Sequence, residues 1–223
     1  MKVPRPRDGW RVFAGEVGVI VLGVLIALGA QEMAGRARIE ADVSTFRRTV
    51  DQEVAYTLWV YQHRQRQSAC TARRLALFSQ WLDGAGDGQQ AEALSSGERP
   101  LAFSLYRSVW DNRDAEVFAA LPADVRRDYA QFYDELANNQ INAVRERETW
   151  LRFLPYEVRG PLTLDDRRTL HQAIRTAAGL NDNVKGNLVT SFEIARSLGI
   201  TARQPPGMTP EDRASGQVCP PAP

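Results

Sequence analysis

Residues Val12 to Ala30 read VFAGEVGVIVLGVLIALGA, the longest apolar run of the chain. At helical rise it extends about 28 Å, close to the hydrocarbon thickness of a bilayer. Lys2, Arg5, Arg7 and Arg11 precede it, and only Arg36 and Arg38 come closely after it. That bias holds the N-terminus in the cytoplasm and sends the chain beyond Ala30 across the membrane. The expected organisation is a basic cytoplasmic N-terminus (1–11), a transmembrane helix (12–30), a periplasmic helical domain (31–200) and a flexible Pro-rich tail (201–223).

A cleaved signal peptide is the rival reading, with Ala27 and Gly29 as the small residues before a cut. The run exceeds the usual signal core of about 7–15 residues, and a polar helical pattern continues from it without a break. Both features favour an uncleaved anchor. No cysteine stands directly after the run, which argues against a lipoprotein cut. No second apolar run returns the chain through the bilayer. Glu16 is the costly residue inside the span. Three readings stand for it. It reaches the cytoplasmic headgroups or Arg11, it joins helices through a face shared with Gly23, Ala27 and Ala30, or it relays protons.

Past residue 30 the chain holds 24 basic and 25 acidic side chains, a near-neutral balance that gives no support for nucleic-acid binding. Arg outnumbers Lys 26 to 2, which reads as genomic composition rather than function. The two cysteines, Cys70 and Cys219, form an even pair that an oxidising compartment would join, tying the tail to the helical body.

Helical spacing dominates the rest. Ile39, Val43, Phe46, Val50, Val54, Leu58 and Tyr61 recur every three or four residues, and no Pro or Gly interrupts residues 36–83. The anchor helix is expected to run outward as a stalk to about Gln67, with Ser68 restarting it. Residues 84–90, GAGDGQQ, form a break. Phe103, Tyr106 and Trp110 mark a short helix, and Asp114 caps another carrying Val117, Phe118 and Leu121. From Asp124, a long helix is supported by Val125, Tyr129, Phe132, Tyr133, Leu136, Ile141, Val144, Leu151 and Leu154. Thr163 with Asp166 fits a capping box. The helix it starts is expected to end at Gly179, and a last one to run from about Asp182 to Leu198, stopped by Gly199. The fold class is all-α: an N-terminal transmembrane helix continuing into a bundle of about four main helices.

Chemistry-bearing patterns are scarce. His63 and His171 have no partner at metal-ligand spacing, and no metal, nucleophile-elbow or phosphate-loop motif occurs. No catalytic residue, cofactor or metal is expected. Asn112, Arg113, Asn138 and Asn139 are the polar candidates for a pocket between helices.

The anchor carries Gly15-Glu16 and the hexapeptide Gly23 to Leu28, GVLIAL, and Trp110, Leu121-Pro122, Tyr129 and Tyr133 lie downstream. In these features the chain resembles a group of uncharacterised bacterial single-pass membrane-anchored proteins. It departs from their pattern after the anchor, where an aromatic residue is usual and Met33-Ala-Gly35 stands here. The resemblance implies a single-pass inner-membrane protein with a helical outer domain and supplies no catalytic residues. The expected role is interaction or scaffolding, with the lipid bilayer, a second copy or a membrane protein as partner. The alternatives are a sensory or ligand-binding helical module, and an accessory subunit of an ion-coupled complex using Glu16.

Overall fold

The computed structural model describes residues 9–85, 90–94, 100 and 106–207. Its elements are α1 (Gly9–Gly84), β1 (Gln90–Ala91), α2 (Ser108–Asp111), α3 (Ala115–Ala119), α4 (Ala123–Leu151), a 3-10 turn (Leu154–Glu157), β2 (Gly160–Pro161) and α5 (Leu164–Ser197). The chain is mostly helical, and the all-α expectation holds. Among the described residues three long helices carry it rather than about four.

α1 has 76 residues and extends about 114 Å. Its first part contains an 18-residue window of mean hydropathy 2.2, none of it buried. By length and composition this part can cross a membrane. The next stretch is solvated. Arg36 pairs with Glu32 at 2.9 Å and Arg38 with Asp42 at 3.8 Å, both one turn apart along an exposed surface. Burial begins around Phe46. The helix does not restart at Ser68. Tyr61, Arg64, Ser68, Thr71, Leu75, Phe78 and Leu82 are all buried at three- and four-residue spacing, so lateral packing carries it through.

The direction of each helix is set by its contacts. Asp51, Glu53, Tyr61 and Arg64 meet Tyr129, Tyr133, Asn139 and Glu146 in that order, so α1 and α4 run parallel. Leu82, Ser68 and Ala55 meet Arg167, Asn181 and Arg203, so α5 runs antiparallel to α1. α5 packs closely against both other long helices. Because α1 and α4 are parallel, the chain between them must return the full length of the bundle. At the far end of this return β1 pairs with β2. At the near end α2 lies against Glu53 of α1 and α3 against Phe46.

The helix ends obey local chemistry. The Asp114 carboxylate accepts from the Glu116 and Val117 amides at 2.8 and 3.0 Å, capping α3. The capping box of Thr163 and Asp166 starts α5. α5 does not break at Gly179, because Ala177, Leu180, Val184 and Leu188 keep the buried spacing across it. It ends where Gly199 takes φ +74°. The Gly199 and Ile200 amides return to the Arg196 and Ala195 carbonyls, a Schellman stop with Ile200 buried.

Two apolar clusters fill the bundle. The near cluster includes Val50, Val54, Leu58, Phe132, Leu136, Val184 and Leu188. The far cluster includes Leu75, Phe78, Leu82, Trp150, Phe153, Leu170 and Ala173. Three expectations fail on α4: Ile141, Val144 and Leu151 are 50%, 53% and 40% exposed. The buried face there carries Asn139, Glu146 and Thr149 instead. Tyr106 precedes α2 rather than lying in it, and Phe103 lies outside the described residues. The flexible tail does not begin at residue 201. The Arg203 amide donates to the Ala55 carbonyl at 2.9 Å and Pro205 is buried. Residues 208–223, with Cys219, lie outside the described residues.

Candidate functional site

The most unusual chemistry lies between α1 and α4. Their aromatic contacts, Phe46 with Tyr129 and Phe78 with Trp150, sit toward the two ends of the seam. Between these ends a row of polar pairs joins the helices. The Tyr129 hydroxyl donates to Asp51 at 2.5 Å and the Tyr133 hydroxyl to Glu53 at 3.0 Å. Asn139 donates its amide to the Tyr61 hydroxyl at 3.1 Å. Arg64 closes on Glu146 at 2.6 Å.

The Arg64 side chain is 0% exposed and that of Glu146 4%. The same guanidinium donates to the Asn181 side-chain oxygen at 3.2 Å, and Asn181 donates to the Ser68 carbonyl, so all three long helices meet here. Burial pushes the Glu146 carboxyl above its ordinary value, and Arg64 offsets this only in part. The Nε and Nη1 atoms of Arg64, and the Asn139 side-chain oxygen, are buried without hydrogen-bond partners. A buried pair in this state is a weak source of stability, and parting it leaves a buried charge uncompensated.

Glu53 is a second buried carboxylate, 6% exposed. It accepts from the Ser108 hydroxyl at 3.0 Å and the Val109 amide at 2.8 Å, and so pins α2 against α1. Trp110 stacks on Tyr133 with centroids 4.4 Å apart and planes 6° from parallel. Arg113 lies over the Trp110 ring at 4.0 Å. Burial, then the Glu53 charge, raises the Tyr133 phenol far above its usual range, so it stays a proton donor. Trp110, Tyr129 and Tyr133 are core residues, as their spacing predicts.

Two grooves share Gln62, Phe192 and Arg196 and form one trough between α1 and α5. Their volumes are about 310 and 360 Å³. A cleft of about 230 Å³ at the far end is lined by Trp81, Tyr156, Leu162 and Asp166 among others. There the Tyr156 hydroxyl donates to Asp166 at 2.8 Å, and burial with that carboxylate pushes the phenol up to about 12.

The candidates from sequence do not converge. Asn112, Arg113 and Asn138 are not buried, Asn139 is sealed against Tyr61, and none of them lines these three grooves. Glu16, Gly23 and Ala27 are exposed on α1, and a Cβ at Gly23 would meet nothing within 4 Å. His63 is buried, with Nδ1 2.9 Å from the Trp59 carbonyl and its ring tilted 36° against that of Trp59 at 3.8 Å between centroids. His171 is exposed. Cys70 is half-buried and is not a free thiol, while Cys219, its expected partner, lies outside the described residues. Among the described residues no group of three His, Cys, Asp or Glu is placed to hold a metal ion.

Arg64, Glu146 and Asn181 were not legible as candidates by residue type. Their signal is phase: each falls in step with the buried apolar residues of its helix. No protein-family model matches the chain, and no curated protein or solved structure matches it.

Proposed function

We propose that this chain is a single-pass bacterial inner-membrane protein whose helical periplasmic domain serves interaction or scaffolding. The observation that carries the reading is the unbroken α1. An exposed apolar segment, a solvated stretch and a buried bundle helix are one element. Residues 31–45 alone extend about 22 Å. A module mounted this way stands at a set height and orientation over the surface that holds the apolar segment. That arrangement suits presenting a helical face to a neighbour more than free diffusion to a substrate. The exposed Ile141 and Val144 on α4 give such a face apolar character. The resemblance of the anchor to bacterial single-pass proteins supports the same localisation.

Two measurements test this reading. A periplasm-only reporter fused after Pro223 is expected to be active, and activity of a cytoplasm-only reporter there overturns the topology. A photoreactive residue at Ile141 or Val144 in membranes is expected to give a discrete adduct absent from an equivalent probe at Arg175. Adducts no different from the Arg175 control overturn the interaction role.

The α1/α5 trough favours a second reading, a ligand-binding module. Its volume falls in the small-molecule range, with Leu58, Phe192 and Ile200 apolar and Gln62 and Arg196 polar along it. Saturable protection of the Phe192 region by a small molecule, lost in Phe192→Ala, would favour it over scaffolding.

A further inference from the structure

Gly179 and Gly186 are the two glycines of α5. A Cβ at either would meet nothing within 4 Å, and neither has a positive φ. No close approach and no backbone geometry calls for glycine at these positions, and glycine weakens a helix interior. The two bracket Asn181, the residue that joins α5 to Arg64 and Ser68.

This level of the bundle is also where lateral packing changes character. The near cluster of α5 begins at Val184 and the far cluster ends at Ala177 and Ala178, and the two clusters are separate. Between them lies the buried Leu180, in neither cluster, and the helices are joined by the Arg64–Glu146 pair and by Asn181, with two Arg64 nitrogens unpaired. Apolar packing tolerates small slips at graded cost. A buried ion pair does not, because a small displacement leaves both charges uncompensated. The helix is thus weakest in its backbone at the level where its neighbours are joined by an all-or-none contact.

We propose that this level is a hinge with a latch. α5 flexes across Gly179 to Gly186, and the α1/α4 seam opens in the far half when Arg64 and Glu146 part. The far cluster and the Trp81–Tyr156 cleft then move as one unit relative to the near half. Proteins commonly open in contiguous cooperative units of this kind. The hinge does not depend on the scaffolding reading, since it concerns the bundle alone.

Hydrogen exchange of the full-length chain in detergent micelles tests it. Amides of residues 164–178 are expected to exchange as one group, about tenfold or more faster than those of 188–197. The Gly179→Ala/Gly186→Ala variant should slow exchange across 164–187 by roughly fivefold per site while leaving 188–197 within about twofold. Arg64→Met/Glu146→Leu should bring the two halves to a common rate. A single exchange group spanning both halves of the native chain overturns the hinge. So does an alanine variant that slows both halves alike, which is general stabilisation. If the apolar replacement leaves two groups at unchanged rates, the pair is not the latch and the proposal fails in that part.

Discussion

The seams that α5 makes with its neighbours and the seam between α1 and α4 are built from different materials. α5 offers Ala173, Ala177, Leu180, Val184 and Leu188, small and branched side chains that let backbones come close. Between aromatic contacts at its two ends, the α1/α4 seam is joined by long polar side chains, Tyr129 to Asp51, Tyr133 to Glu53 and Glu146 to Arg64. Apolar seams supply association that is strong and weakly directional. Polar pairs add little net stability but penalise every other register, since a one-turn slip strands a carboxylate or a guanidinium. In this bundle the close helix-to-helix packing is made by α5, and the cross-helix polar pairs lie between α1 and α4 at one register.

The sharpest way to break that comparison is to remove one charge. Glu146→Leu leaves Arg64 buried without a counter-charge and should cost about 3–5 kcal/mol in denaturant unfolding. A loss comparable to that of a surface pair, below about 1 kcal/mol, would show that the seam is hydrated and not a register device. Removing both charges should behave oppositely. Arg64→Met/Glu146→Leu is expected to match the native chain or exceed its stability by about 1–4 kcal/mol. A double variant as unstable as the single one would place cohesion in the polar seam as well. Tyr133→Phe removes one donor from buried Glu53 and should cost about 1.5–3 kcal/mol. Loss of exchange protection in α2 without loss of the bundle would locate that effect at the α1/α2 junction.

The smallest effect is a pH slope. Burial holds the Glu146 pKa above the 4.5 of an unfolded chain, so the folded state binds this proton more tightly. Its contribution is fully present below pH 4.5 and is lost as pH rises through the raised folded value. The native chain should therefore lose stability over that window relative to Arg64→Met/Glu146→Leu. Parallel pH profiles of the two proteins would rule this out.

The apolar seams were legible in the sequence because they obey a period. Val50, Val54, Leu58 and Phe132, Tyr133, Leu136 announce their burial by spacing alone. The polar seam was not, because residue type misleads there. Ile141 and Val144 look like core and are exposed, while Glu146 looks like surface and is buried. Charge type reports an average preference, whereas burial depends on which partner waits opposite, and Arg64 lies 82 positions away. The expected breaks at Ser68 and Gly179 failed for a related reason. Local signals weigh one residue, and packing on both sides of it outweighed them. Capping chemistry is local by nature, which is why Asp114, Thr163 with Asp166, and Gly199 were readable in advance.

The order of the helices along the chain carries a consequence for biogenesis. Among the described residues α5 follows both other long helices in the chain, yet it covers the apolar faces of α1 and α4. Until residues near Leu188 emerge, Val50, Val54 and Leu58 have no central partner to shield them. The parallel pairing of α1 with α4 cannot substitute, since its contacts are sparse and require the intervening chain to have doubled back. The α1/α5 contacts that cover this face join residues 85 to 113 positions apart, so they form late and leave adhesive surface exposed meanwhile. A nascent chain stalled before α5 should be the species most prone to capture by holdase chaperones, and truncation at Pro161 should yield aggregates rather than a smaller folded domain.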